Sequence, residues 1–110
     1  VVLDTTYESG EQGVWLGQGP VLTLSDASIL LSPALRDRVL DRMVQAGVPM
    51  QTEVYNFSGT DARAFPQQGL TCPVLPLLVP TRGNHAPREM ADLRDVEIWL
   101  SAIRAVAELF

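Results

Sequence analysis

Apolar and polar positions alternate along this chain in segments whose spacing separates strands from helices. Val1 to Thr6 is short, apolar and β-branched and closes at the polar stretch Tyr7-Glu8-Ser9-Gly10, which predicts a buried strand with Asp4 near its C-terminal end. Gly10 to Pro20 holds four glycines and reads as a loop whose backbone turns sharply or approaches something closely. Val21-Leu22-Thr23-Leu24 predicts a second strand. Ser32-Pro33 then opens a helix with a side-chain cap followed by the residue pre-set for the first helical position. Leu35, Val39, Leu40, Met43 and Val44 form its apolar face, Arg36, Asp37, Arg38, Asp41 and Arg42 its solvated one, and Gly47 its stop. Thr52 to Phe57 reads as a strand, and Ala62 to Gln68 as a short helix that follows the turn Ser58-Gly59-Thr60-Asp61 and stops at Gly69. Pro73 to Pro80 is the most apolar stretch and has strand length, but Pro76 cannot donate to a ladder, so the strand is expected to be bulged or paired on one side. Asp92 and Asp95 form an acidic cap for a last helix along which Val96, Trp99, Leu100, Ile103, Val106, Ala107 and Phe110 recur at three- and four-residue steps. That stripe and the two tryptophans belong to a core or an interface. The order β, β, α, β, short α, β, α predicts an α/β layer structure.

Composition narrows the class. A length of 110 residues is that of one domain, and 46% apolar content fills a modest core. A net charge of −5 without a basic cluster disfavours nucleic acid and anionic membrane as partners. The longest apolar runs are about half the length of a membrane span, so a soluble, cytoplasmic protein is expected. A single cysteine, Cys72, excludes an internal disulfide and reads as a small buried thiol beside Pro73. The chain opens on Val1-Val2-Leu3, apolar and without an initiator methionine, which suggests the tail of something longer.

Candidate chemistry is sparse. His85, the one histidine, follows the apolar run in Thr81-Arg82-Gly83-Asn84-His85-Ala86-Pro87, where a strand would end. Asp4 also lies near a strand end, so a shared sheet would bring the two to one edge, and carboxylate and imidazole are ordinary zinc ligands. Two ligands are too few for a stable site. Asp61, Glu8, Glu11 and Asp92 are the remaining candidates, and no spacing links them into a metal motif. The Gly59-Thr60-Asp61 turn can aim backbone N–H groups at an anion or oxyanion, or it can simply cap the short helix. Ser9 and Ser58 lie in no nucleophile elbow, and Gly17-Gln18-Gly19-Pro20 lacks the third glycine and following helix of a dinucleotide site.

Five segments together carry a resemblance: Val1-Val2-Leu3-Asp4-Thr5-Thr6, Leu16-Gly17-Gln18-Gly19-Pro20, Gly59-Thr60-Asp61-Ala62, Pro80-Thr81-Arg82 with His85 following, and Asp92-Leu93-Arg94-Asp95-Val96-Glu97. In order and spacing the chain resembles the cytosolic dinuclear metallo-aminopeptidases, which include glutamyl, deblocking and tetrahedral aminopeptidases and some relatives named endoglucanases. The resemblance implies part of a zinc-peptidase-like catalytic domain, a mixed sheet flanked by helices, with residues 1–110 forming one unit at its C-terminal end. It also implies a peptide substrate, homo-oligomers and two divalent metal ions, zinc or cobalt. Asp4 would ligate one metal and His85 the other, and Gly59, Thr60 and Asp61 would line the substrate cleft. The chain departs from the family at Thr5-Thr6-Tyr7, where a histidine is common, at Ala86, where serine is common, and at Gly83-Asn84. The last stands where the family has a bulky pair, a change that would loosen the loop carrying His85. The family's other ligands and its general base lie upstream of the matching region, so the chain alone is expected to bind no metal and to be inactive. Two alternatives remain: an isolated, non-enzymatic subdomain that self-associates through an apolar edge, and a glycoside hydrolase, for which no carboxylate pair is visibly placed.

Overall fold

The computed structural model describes residues 1–55 and 57–110. Five strands form one mixed sheet: β1 (Val2–Tyr7), β2 (Val21–Asp26), β3 (Gln51–Tyr55), β4 (Pro76–Arg82) and β5 (Met90–Ala91). Their order is β1-β4-β2-β3, with β5 added to β4. β1 runs parallel to β4 along its whole length, β3 runs parallel to β2, and β2 meets β4 antiparallel only at Val21–Leu78 and Leu22–Leu77. The helices are α1 (Pro33–Ala46), the four-residue α2 (Ala64–Gln67), preceded by a 3₁₀ turn at Asp61–Arg63, and α3 (Leu93–Ala107).

The helix ends are made as their local sequence dictates. Ser32 Oγ accepts the N–H of Leu35, Pro33 follows it, and Gly47 closes α1 in the left-handed conformation with φ 66°. Asp92 caps α3 by accepting the N–H of Arg94. Along α1, Val39 and Met43 are buried, but Val44 is 80% exposed; it falls just past the edge of the inward stripe. The C-terminal end of α3 is clasped to α1: Arg42 pairs with Glu108, Arg38 Nη2 donates to the Leu109 carbonyl at 2.7 Å, and the Arg38 guanidinium lies 5.3 Å from the Phe110 ring.

The core sits on one face of the sheet. Leu22 and Leu77 meet Val39 and Met43 of α1 and Ala102, Ala105 and Val106 of α3, and Trp99 Nε1 donates to the Leu77 carbonyl at 3.0 Å. Successive side chains of a strand point to opposite faces, so Val21 and Leu78 turn away from the helices, where they are covered by Val14 of the glycine-rich loop. By register, Asp4 pairs with Leu78, Thr6 with Pro80, and Thr23 with Glu53. This second face therefore collects the polar residues of otherwise apolar strands.

Several expectations are corrected. β1 is an edge strand rather than a buried one, with Leu3 48% exposed, and Asp4 lies in its middle. β4 is paired on both sides and carries no bulge; the register shift falls between Thr23 and Ser25 of β2. Val2 N–H bonds the Leu75 carbonyl and Glu8 N–H that of Thr81. The odd positions of β4 thus serve β1, and Pro76 and Pro80 turn their donor-less nitrogens to the opposite edge, flanking the short contact with β2. The strand expected over 52–57 ends at Tyr55, with Asn56 outside the described residues, and Phe57 is exposed. Cys72 is exposed as well, because it stands in the surface connection before β4.

The glycine-rich loop is held by an acid distant in sequence. Asp95, fully buried in the first turn of α3, accepts the N–H groups of Gly17 at 2.7 Å and Gly19 at 2.8 Å. Asp92 alone performs the capping expected of both acids. Gly19 has φ 97°, and a Cβ there would stand 2.7 Å from the Pro49 carbonyl oxygen, so the close approach expected of this loop is made against its own chain.

Candidate functional site

On the face away from the helices lies a cleft of about 260 Å³ lined by Asp4, Thr6, Tyr7, Glu53, Asp61 and His85, among others. Gly59 and Thr60 also line it, so all five residues singled out in the sequence share one cavity. Parallel pairing of β1 with β4 is the cause. Tyr7 stands beside Thr81 in register, which delivers the turn after β4, and His85 with it, to the end of β1.

His85 is the one described non-glycine residue with positive φ, at 62°. Left-handed backbone costs a non-glycine residue on the order of 1 kcal/mol and persists where the surroundings impose it. They do so here. A Cβ on Gly83, itself at φ 75°, would stand 2.4 Å from the Arg88 carbonyl oxygen, and the Asn84 amide donates to Thr5 Oγ1 at 2.9 Å, Thr81 Oγ1 at 2.8 Å and Glu89 Oε1 at 2.9 Å. Gly83-Asn84 therefore ties the loop down instead of loosening it. The His85 ring lies 6.1 Å from that of Tyr7.

The remaining acids divide by role. Glu8 is engaged by Arg82 Nε at 2.8 Å and by the Leu16 N–H at 2.9 Å, which together hold its carboxyl below the ordinary range. Asp92 is used at the helix cap. In the Gly-Thr-Asp turn, Thr60 N–H donates to Ser28 Oγ at 2.9 Å and Ala62 N–H to Thr60 Oγ1 at 3.2 Å. These two donors are already taken, so the turn caps its own helix. Among the described residues, no three His, Cys, Asp or Glu side chains stand together so that they could hold a metal ion. Asp4 and His85 have the donor types of a metal site, but not the number.

Glu53 was not singled out in the sequence. It is 5% exposed and bridges the wedge left where β2 diverges from β4. Its carboxylate accepts from Thr6 Oγ1 at 3.0 and 2.8 Å and from Thr23 Oγ1 at 2.9 Å. An acid in the middle of the strand-like stretch Thr52-Glu53-Val54-Tyr55 was the signal available. Burial pushes this carboxyl above its ordinary value of 4.5, with Asp26 adding to the effect and the two hydroxyls opposing it. The folded state thus keeps the proton to higher pH than the unfolded state, and the stability linked to it is present below the ordinary value and lost as pH rises through the raised one. Glu53→Gln cannot ionise and is expected to melt a few degrees above the unsubstituted chain at pH 7, the gap closing as pH falls toward 4.5. A gap of constant size in melts followed by circular dichroism would assign the effect to packing instead.

A mixed sheet flanked by helices is the architecture this chain shares with solved peptidases. The TET1 peptidase of Pyrococcus horikoshii, solved as a dodecamer, superposes with a TM-score of 0.82 at 34% identity over 96% of this chain and 32% of its own. The profile of the M42 glutamyl aminopeptidase family matches residues 1–101, and the chain belongs to that family. A curated protein of Acetivibrio thermocellus, provisionally described as an aminopeptidase, is 25% identical over 103 residues, 94% of this chain and 30% of its own length. A Thermotoga maritima protein described as an endoglucanase shares the fold at 20% identity, with a TM-score of 0.67 over 94% of this chain and 32% of its own. This chain thus spans about a third of the length of these relatives. Among the described residues, no helix is long and apolar enough to cross a membrane.

Proposed function

We propose that this chain is the C-terminal part of the catalytic domain of a dinuclear metal-dependent aminopeptidase that removes N-terminal residues from peptides. The observation that carries the reading is the meeting of Asp4 and His85 in one cleft with Gly59, Thr60 and Asp61, in a chain of the M42 family. Asp4 would supply one ligand and His85 another, and Gly59, Thr60 and Asp61 would border the bound peptide. A pair of divalent ions, zinc or cobalt, would polarise the scissile carbonyl and provide a water of lowered pKa. Two protein donors do not complete such a site, so the other ligands and the base must come from outside these 110 residues, and the chain alone is inactive. Self-association is part of the proposal, supported by the dodecamer of TET1; a cytoplasmic location rests on composition.

The complete enzyme is expected to hydrolyse aminoacyl anilides, to lose that activity to a chelator and to recover it with zinc or cobalt. The 110-residue chain, titrated calorimetrically with Zn²⁺, is expected to show no tight stoichiometric binding, and a stoichiometric complex would contradict the ligand count. The endoglucanase reading gains little, since a likeness at 20% identity carries the fold alone.

A further inference from the structure

The cleft continues into a second depression of about 320 Å³, and Thr6, Tyr7, Glu53 and Tyr55 line both. Across this shared wall runs a row of rings. His85 lies 6.1 Å from Tyr7, Tyr7 lies 5.7 Å from Tyr55, and Tyr55 lies 6.1 Å from Phe57, all measured between centroids. Phe57, at the far end, is 91% exposed. An aromatic side chain left in water beside two others is a surface that gains free energy when a ligand covers it.

The acids of the second depression do not compete for that ligand. Glu8 is neutralised by Arg82 and the Leu16 N–H, and the Glu53 carboxylate is occupied by the hydroxyls of Thr6 and Thr23. Only Glu11 stands outside these contacts, and it is exposed at the rim. A cationic side chain would find little unspent charge here, whereas an apolar one would find three aromatic rings.

We propose that Tyr7, Tyr55 and Phe57 form the subsite for the side chain of the peptide's N-terminal residue and select aromatic or large apolar side chains. This rests on the aminopeptidase reading, which puts the scissile carbonyl beside Asp4 and His85. The row of rings begins at Tyr7, 6.1 Å from His85, so a large side chain can follow it where an alanine methyl cannot.

Two measurements test the subsite. In the complete enzyme, kcat/KM is expected to favour phenylalanyl over alanyl p-nitroanilide, and Phe57→Ala to lower that ratio about fivefold, the scale of one lost aromatic contact. Within these 110 residues Phe57 is exposed, so its removal leaves their core intact. In the 110-residue chain, phenylalaninamide followed by NMR is expected to shift the ring resonances of Tyr7, Tyr55 and Phe57, and alaninamide to leave them in place. Hydrolysis without a phenylalanyl preference, a preference for lysyl or glutamyl anilide, or equal ring shifts with both amides would each overturn the subsite. Selective ring shifts in a protein that hydrolyses no peptide would support the subsite and overturn the catalytic reading alone.

Discussion

His85→Ala in the complete protein, on the aminopeptidase activity proposed above, is expected to reduce that activity by more than about a hundredfold, because loss of a group that merely supports a metal ligand already costs about 10- to 100-fold. Metal content by elemental analysis is expected to fall with it, and a fully active variant would sink the assignment of His85 as a ligand. The backbone supplies a control against misfolding. At φ 62° the native residue carries left-handed strain that glycine does not, on the order of 1 kcal/mol, against which glycine sets a comparable entropy loss. His85→Gly is therefore expected to keep its melting temperature while losing activity and metal. A variant that lost both stability and activity would point to a structural histidine. Strain kept at a cleft-lining imidazole, in a loop over-determined by Gly83 and Asn84, is what a positioned functional group requires.

Asp95→Ala is expected to lower unfolding free energy by about 3 kcal/mol, since two N–H groups would lose their acceptor and each unsatisfied buried donor costs about 1–3 kcal/mol. For a domain of ordinary stability, about 5–15 kcal/mol, that is a large fraction. Urea denaturation of the purified chain measures it, and a change below about 0.5 kcal/mol, the range of an ordinary surface substitution, would show that the glycine-rich loop holds itself. Asp95→Asn keeps one acceptor oxygen and should fall between the two. Because the loop supplies Val14 over Val21 and Leu78, the loss of this tie is also expected to uncover the sheet face that carries the cleft.

The sequence alone determined the helices, the approximate strands and the pairing of chemistry. Ser32, Pro33 and Gly47 bound α1, Thr60 caps the turn before α2, and Asp92 caps α3, because a cap bonds within two or three residues of itself and leaves its mark in adjacent letters. Asp4 and His85 could be assigned to one sheet because apolar runs mark β1 and β4, but it is the parallel register, with Tyr7 beside Thr81, that brings the turn after β4 to the cleft Asp4 lines. Sheet order could not be read in this way. It decided that β1 is an edge with exposed apolar residues, that Pro76 and Pro80 sit harmlessly beside a two-pair contact, and that Cys72 faces water. Two buried carboxylates were settled only by contacts far along the chain: Asp95 with glycines 76 and 78 residues away, and Glu53 with threonines 30 and 47 residues away. The aromatic row is likewise assembled from β1, β3 and the turns that follow β3 and β4. Caps and amphipathic stripes are local and therefore written in order along the chain; strand order and buried polar pairings depend on which distant segments share a face, and that is decided only when the sheet closes.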